Sequence, residues 1–325
     1  MELFLYAYVR KEAVLSSQIE GTQSTLSDLL TFETGEAPGA PHKDVIEVSN
    51  YVAALNHGLD RLRAGFPISN RLFREIHEIL LSKGRGSGKD PGSFRKSQNW
   101  IGGSRPGNAV FVPPPPNRIE DCMADLERFL HGEDTDLPVL VRAGIAHLQF
   151  ETIHPFLDGN GRVGRLLITL VLCHYGVLQE PLLYLSLYLK QNRATYYSLL
   201  DSVRRDGDWE AWLAFFLEGI RQTADGAVAT ARRLEATLEK DRQKITARGR
   251  RAKSALVVHD ALKERPISSL KGVRARTNLS FPGAASAMEL LCELGISREL
   301  TGRRRNRLFA YDQYLRILSE GTEPL

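Results

Sequence analysis

The chain is predicted to be mainly α-helical and built from more than one domain, with a β-hairpin set among the helices. Three observations predict this. Apolar residues recur at helical spacing through most of the sequence, whereas strand-like alternation is scarce. Residues 82–117 change texture to Gly, Ser and Pro and end in Pro113-Pro114-Pro115-Pro116. Charge is stepped: from Asp241 onward 17 Lys+Arg face 9 Asp+Glu, a balance of +8, which leaves −4 for residues 1–240 of a chain of net charge +4. A basic final third on an acidic body points to two modules with different partners. The length of 325 residues agrees, at about 100–200 residues per domain.

Taken in order, the periodicity predicts helices near Phe4–Glu20, Lys43–Ala64, Ser69–Leu81, Arg118–His131, Pro138–Phe150, Gly161–Tyr175, Arg193–Arg205, Asp208–Gly219 and Ala227–Lys244. Between the fourth helix and its predecessor, Asn99–Gly103 and Ala109–Val112 flank Arg105-Pro106-Gly107-Asn108. They predict a short hairpin with a Pro-Gly turn, halted by prolines that cannot donate to a ladder. A basic, Gly-broken joint at Thr246–Lys253 is followed by helices at Ser254–Glu264 and Pro282–Leu294. A strand pair at Ile296–Leu300 and Arg307–Tyr311 then frames the basic tip Thr301–Asn306. Helices followed by a basic-tipped hairpin form a winged-helix pattern.

The composition, 42% apolar and 25% charged, is that of a globular protein. No apolar run approaches the roughly 18–20 residues that span a bilayer, and Met1–Phe4 lacks the features of a secretion signal. Cys122, Cys173 and Cys292 stand far apart, without the spacing of a disulfide framework or a zinc site. A soluble cytoplasmic protein with no membrane partner is the expectation.

The chemistry concentrates in His154-Pro155-Phe156-Leu157-Asp158-Gly159-Asn160-Gly161-Arg162-Val163-Gly164-Arg165. A Gly-rich loop opening a helix offers free backbone N–H groups to an anion. Arg162 and Arg165 share one side of the first turn, where cations oppose the helix dipole unless an anion lies between them. Asp158 supplies a hard oxygen for a metal that bridges phosphates. His154 is the nearby group able to take a proton near neutral pH. Each element alone is weak; a base, a metal ligand, an anion loop and two guanidiniums within twelve residues are not.

This stretch resembles the Fic signature, His-x-Phe-x-(Asp/Glu)-Gly-Asn-Gly-Arg-x-x-Arg, at every position. The resemblance implies a Fic-fold helical domain and protein AMPylation, in which a target hydroxyl attacks the ATP α-phosphate and pyrophosphate leaves. Carried over by position, His154 is the general base, Asp158 holds Mg²⁺, Asn160 and Gly161 receive the α-phosphate, Arg162 and Arg165 clamp the outer phosphates, and Phe156 anchors the loop. The hairpin is similar to the family's flap, so Gly103, Ala109, Val110 and Phe111 are expected to hold the target by strand addition. Gly92–Arg95 and Gln98–Gly102 are also family-like. Asn192-Arg193-Ala194-Thr195-Tyr196-Tyr197 resembles a segment lining the adenine end, which makes Asn192 and Tyr197 candidate nucleotide contacts.

Ser16-Ser17-Gln18-Ile19-Glu20-Gly21 resembles the family's inhibitory motif, (Ser/Thr)-x-x-x-Glu-(Gly/Asn). Gly21 suits the position just past a helix end and puts Glu20 in the last turn, where a carboxylate opposes the dipole. The resemblance pairs Glu20 with Arg165, with Ser16 helping to fix it. The expected organisation is an N-terminal inhibitory segment at 1–35, a catalytic core at 36–220, a helical linker at 221–253 and a winged-helix domain at 254–325. Relatives commonly carry a further helical segment ahead of Leu3; whether this start is trimmed or a shorter variant stays open.

Two alternatives stand beside AMP transfer. Some family members with the inhibitory glutamate remove AMP, and others transfer phosphate or phosphocholine; Gly161, where the kinase-type toxin Doc has Lys, speaks for AMP. From another class, Arg303-Arg304-Arg305 with Arg307 keeps a DNA-binding regulator in view. The last module's partner stays open between duplex DNA, another protein and a second copy of the chain.

Overall fold

The computed structural model describes residues 2–36, 43–132 and 136–324. Helix α1 (Glu2–Ile19) stops where the sequence says it should. Gly21 N–H reaches the Gln18 carbonyl at 3.0 Å and Thr22 N–H the Ser17 carbonyl at 3.3 Å, with Gly21 at φ 94°. That is a Schellman end, which a left-handed glycine permits. A capping box between Thr25 and Asp28 starts α2 (Leu26–Phe32). Then follow α3 (Lys43–Arg63), α4 (Asn70–Leu80), whose Ser69 caps the Leu72 N–H, and α5 (Ile119–His131). Helices α6 (Val139–Ile153) and α7 (Asn160–His174) pack directly on each other, and α7 also meets α1, α3 and α4. From Val163 to Leu172 every side chain of α7 is buried, so its N-terminus is held at a fixed place.

Next come α8 (Ser186–Gln191), α9 (Arg193–Asp206), which ends on Gly207 at φ 71°, and α10 (Trp209–Thr246). The two helices expected at Asp208–Gly219 and Ala227–Lys244 are this one 38-residue helix, so no break falls at residues 220 and 221. Gly226 inside a helix costs only about 1 kcal/mol relative to Ala, which packing easily offsets. The final module runs α11 (Ala252–Glu264), β1 (Ile267–Ser269), α12 (Leu270–Thr277), α13 (Phe281–Glu293), β2 (Ser297–Glu299), β3 (Leu308–Tyr311) and α14 (Asp312–Ser319). Its antiparallel sheet has the order β1-β3-β2, with Ser268 opposite Phe309 and Arg298 opposite Ala310. The module packs on the N-terminal elements: α11 and α14 touch α1, and β1 touches α2. Among the described residues no helix is long and apolar enough to cross a membrane.

The predicted hairpin is reduced to a single bridge. Ile101 and Phe111 exchange backbone hydrogen bonds at 2.9 and 3.2 Å, and no further pair forms. Gly102 and Gly103, at φ 69° and 68°, turn the chain out of extended geometry, and the prolines after Val112 supply no N–H. The tip is a 3₁₀ turn at Pro106–Asn108, organised by the side-chain Oδ1 of Asn108, which accepts from Ser104 and Arg105 N–H at 3.0 and 2.9 Å. The Asn108 N–H reaches the Arg105 carbonyl at 3.1 Å, so the expected Pro-Gly turn is present, continued by one further 3₁₀ bond from Ala109 N–H to the Pro106 carbonyl at 3.4 Å.

Candidate active site

The loop joining α6 to α7 is built from two left-handed residues and a stapled asparagine. His154 caps α6 at φ 50°, and Gly159 enters α7 at φ 78°. Asn160 is buried and spends its side chain inward: it donates to the Phe156 carbonyl and accepts the Phe156 N–H, both at 2.8 Å. Its amide is thus a staple of the loop. Phe156 is fully buried and stacks on His77 at 3.7 Å and 5°. Gly92 N–H donates to His77 Nδ1 at 2.9 Å, which leaves Nε2–H to donate to the Asp158 carbonyl at 3.0 Å. Burial pushes the His77 pKa down to about 4, so this tautomer is the neutral one.

Arg95 and Asn99 hold the other side. The Arg95 guanidinium donates to the carbonyls of His154 (2.9 Å), Ser97 (3.2 Å), Pro114 (2.5 Å) and Ile153 (3.4 Å). Asn99 donates to the Phe156 and His154 carbonyls at 3.1 and 3.4 Å. Carbonyls left unpaired at the end of α6 are thereby satisfied, and the loop is tied to the base of the flap. The His154 imidazole faces a cavity. Burial pushes its pKa down to about 4, with Arg204 and Arg95 acting in the same direction, so it is neutral and able to accept a proton at neutral pH.

At the start of α7 the N–H groups of Asn160, Gly161 and Arg162 have no intrahelical partner. The two arginines are both buried but differently engaged. Arg162 lies 3.4 Å from the buried Glu47 of α3 and 3.7 Å from Asp158. Arg165, its side chain 1% exposed, donates through Nε to Ser16 Oγ at 2.9 Å, and through Nη2 to the Ser16 carbonyl at 3.0 Å and Glu20 Oε1 at 2.7 Å. Burial works against both members of the last pair, yet each holds the other charged: the Arg165 pKa is raised and the Glu20 pKa lowered. A side chain on Gly161 would place Cβ 2.3 Å from Glu20 Oε1. The carboxylate therefore lies directly over the first turn of α7, where an anion would bind.

Asp158, on the same loop, is 35% exposed; its Oδ1 accepts the Gly159 N–H at 2.6 Å, and its Oδ2 faces Gly86. One accessible carboxylate beside the start of a helix fits Mg²⁺, which keeps waters and takes few protein ligands when it travels with a nucleotide.

His154, Glu20, Gly161, Arg165, Tyr196, Tyr197, Glu151, Arg204 and the flap residues Trp100–Gly102 and Val110 line one cavity of about 510 Å³. That is within the usual size of a small-ligand site. A groove of about 570 Å³ between α4 and Gly92–Phe94 holds none of the motif residues. Of the two adenine candidates, Tyr197 lines the cavity. Asn192 does not; its side chain donates to the Tyr188 carbonyl at 3.0 Å and closes α8. In the flap, Gly103 packs against the Asn108 backbone, Ala109 follows the tip, Val110 is exposed, and the Phe111 ring lies 4.2 Å from the Arg204 guanidinium. Arg204 also donates to the Glu151 carbonyl at 3.0 Å, so it fastens the flap to α6.

Sequence reasoning missed Glu47, His77, Arg95 and Asn99 as supports, and Glu151 as a wall residue. Glu151 is buried, its Oε1 has no partner, and burial pushes its pKa up to about 7. Only the family-like runs around Arg95 and Asn99 carried a signal.

Two sequence models match the chain: Fic/DOC family N-terminal over residues 1–60, and Fic/DOC family over residues 67–172, together half of its length. A probable protein adenylyltransferase of Aquifex aeolicus is 29% identical over 201 residues, 62% of this chain and 56% of that protein. Protein adenylyltransferase Fic of Culex quinquefasciatus is 34% identical over 152 residues, 46% of this chain and 27% of that protein. The chain thus spans between about a quarter and just over half of these curated relatives. In fold it is similar to a Fic family protein from Desulfovibrio desulfuricans G20, at TM-score 0.60 and 23% identity over 94% of this chain and 87% of that one. The motif, the helical architecture and both sequence models agree: the chain belongs to the Fic/DOC family.

Proposed function

We propose that this chain transfers AMP from ATP to a hydroxyl side chain of a target protein, and that Glu20 restrains it. The observation that carries this reading is the Glu20 carboxylate seated over Gly161 and bound to Arg165, an anion in a site made for anions. Relatives named protein adenylyltransferase supply the reaction class.

The target segment lies along the flap edge at Ile101 and Val110, which brings its hydroxyl toward His154. Neutral His154 takes the hydroxyl proton as the new oxygen–phosphorus bond forms, and the bond from the α-phosphorus to pyrophosphate breaks. Free N–H groups at the start of α7 and Arg162 hold the phosphate oxygens as their charge shifts toward the leaving group. Arg165 joins them once Glu20 withdraws. Mg²⁺ held by Asp158 would neutralise the outer phosphates. Intact mass after incubation with ATP, Mg²⁺ and candidate proteins tests the proposal. A gain of one AMP supports it; loss of AMP from a pre-modified protein, or a gain of phosphate alone, assigns a different reaction.

For the final module, the order helix–strand–helix–helix–strand–strand supports a winged helix. In helix-turn-helix readers the second helix of the pair enters the groove. Here that helix, α13, exposes Phe281, Pro282, Ser286, Glu289 and Glu293 and no Lys or Arg. This favours a protein partner over duplex DNA. Titration with duplex DNA at two salt concentrations tests it, since phosphate contacts would give a steep salt slope.

A further inference from the structure

Gln18 is fully buried two residues before Glu20, in the last turn of α1. Its side-chain amide donates to the Ser24 carbonyl at 2.9 Å and the Thr322 carbonyl at 2.8 Å, and its oxygen accepts from Lys190 Nζ at 2.7 Å. Lys190, 7% exposed, also donates to the Gly321 carbonyl at 3.2 Å and to the Glu323 carbonyl. An ammonium has three protons, so all three are used here, two of them on segment 321–323. The segment reaches this place by a close approach: at Gly321, φ 80°, a Cβ would fall 2.6 Å from Leu187 Cδ1. Just before it, Glu320 makes a two-pronged pair with Arg233 of α10 at 2.6 and 2.7 Å.

We propose that Gln18 and Lys190 are positioning residues of the restraint, which key segment 321–323 of the final module to the last turn of α1. Displacing that segment loosens Glu20 from Arg165. A ligand or protein that pulls on the module therefore acts at the nucleotide site, without touching it. The inference rests on the reading that Glu20 restrains AMP transfer. The loss of one net hydrogen bond shifts an equilibrium roughly 2- to 12-fold, so the latch is strong enough to matter and weak enough to open.

The test uses the full chain with Lys190→Met and, separately, Gly321→Val, which acts from outside α1 by collision with Leu187. AMP transfer is measured in the native and the Glu20→Gly backgrounds, and hydrogen exchange at the Glu20, Gly21 and Thr22 amides is followed in parallel. The latch requires AMP transfer to rise about threefold or more with Glu20 present and to stay level with Glu20→Gly. It also requires those amides to exchange at least about threefold faster. A rise in both backgrounds, or in neither, overturns it. If the Glu20→Gly chain transfers no AMP at all, the functional reading fails. The amide exchange then decides the latch alone, unchanged protection overturning it.

Discussion

Replacing Glu20 with Gly removes one hydrogen bond whose strength can be bounded from its surroundings. An exposed ion pair would contribute at most about 1 kcal/mol and would change activity about fivefold. This pair is not of that kind: Arg165 is 1% exposed and Glu20 32%, at 2.7 Å. A charge-assisted hydrogen bond in such a place contributes about 1.5–3 kcal/mol, which converts to a roughly 10- to 150-fold shift from restrained to open. AMP incorporation from labelled ATP, into the chain itself and into a target, should rise by about tenfold or more. Arg165 keeps both bonds to Ser16, and water can enter the cavity where the carboxylate was. Melting should therefore fall only a few degrees, since about 1 kcal/mol moves Tm by roughly 2 °C in a chain of this size.

Two controls separate this from other accounts. Arg165→Ala should not raise activity, and the double variant should stay inactive, because the phosphate clamp is gone in both. ATP affinity should increase in Glu20→Gly while adenosine affinity stays level, because only phosphates compete for the first turn of α7. Equal gains for both would mean that Glu20 merely closes the cavity. AMP transfer by Glu20→Gly at or below the native level refutes the restraint and brings forward a role for Glu20 in removing AMP.

Other outcomes follow from the same geometry. His154→Ala should lower AMP transfer at least about 100-fold with ATP affinity unchanged, measured by turnover and calorimetry; undiminished turnover removes His154 from the mechanism. Asp158→Ala and EDTA should each suppress turnover, and full activity in EDTA would exclude the proposed metal site. Stability should rise with pH between about 4 and 6.5. His77, His154 and His259 are depressed to about 4 and His147 to about 3, so unfolding takes up protons there. Glu12 and Glu151, raised to about 7, oppose this above about pH 4.5, leaving a net uptake of roughly two protons near pH 5.5. A melting temperature that falls as pH rises from 4.5 to 6 would contradict this balance.

The parts legible in the sequence were those fixed by local chemistry. Gly21 announced the end of α1, and the Gly-rich stretch within His154–Arg165 announced a loop opening a helix, because a chain-local rule governs each. The parts that were not legible depend on distant partners. Arg95 reads as one more basic residue until its guanidinium is found on four carbonyls, from Ser97 to His154. The break expected near Gly226 vanished because tertiary packing outweighs a single glycine. The hairpin failed for the opposite reason: Gly102 and Gly103, read as the end of its first strand, are left-handed, a local feature that turns the chain out of the ladder.

Glu20 shows how far such local reasoning extends, and what it needs from the fold. By itself it is a carboxylate at the wrong end of α1, where the dipole disfavours it. Arg165 alone is a buried cation near the wrong end of α7. Each is a local conflict, and natural sequences keep such conflicts mainly where function requires them. The fold resolves both at once by laying the end of α1 across the start of α7, so that one carboxylate meets a guanidinium beside Gly161. Under the proposed function, removing this restraint by removing Arg165 would also remove part of the proposed phosphate clamp. Its adjustment has to come from the α1 side, and there the wholly buried Gln18, tied to Lys190 and Thr322, links it to the rest of the chain.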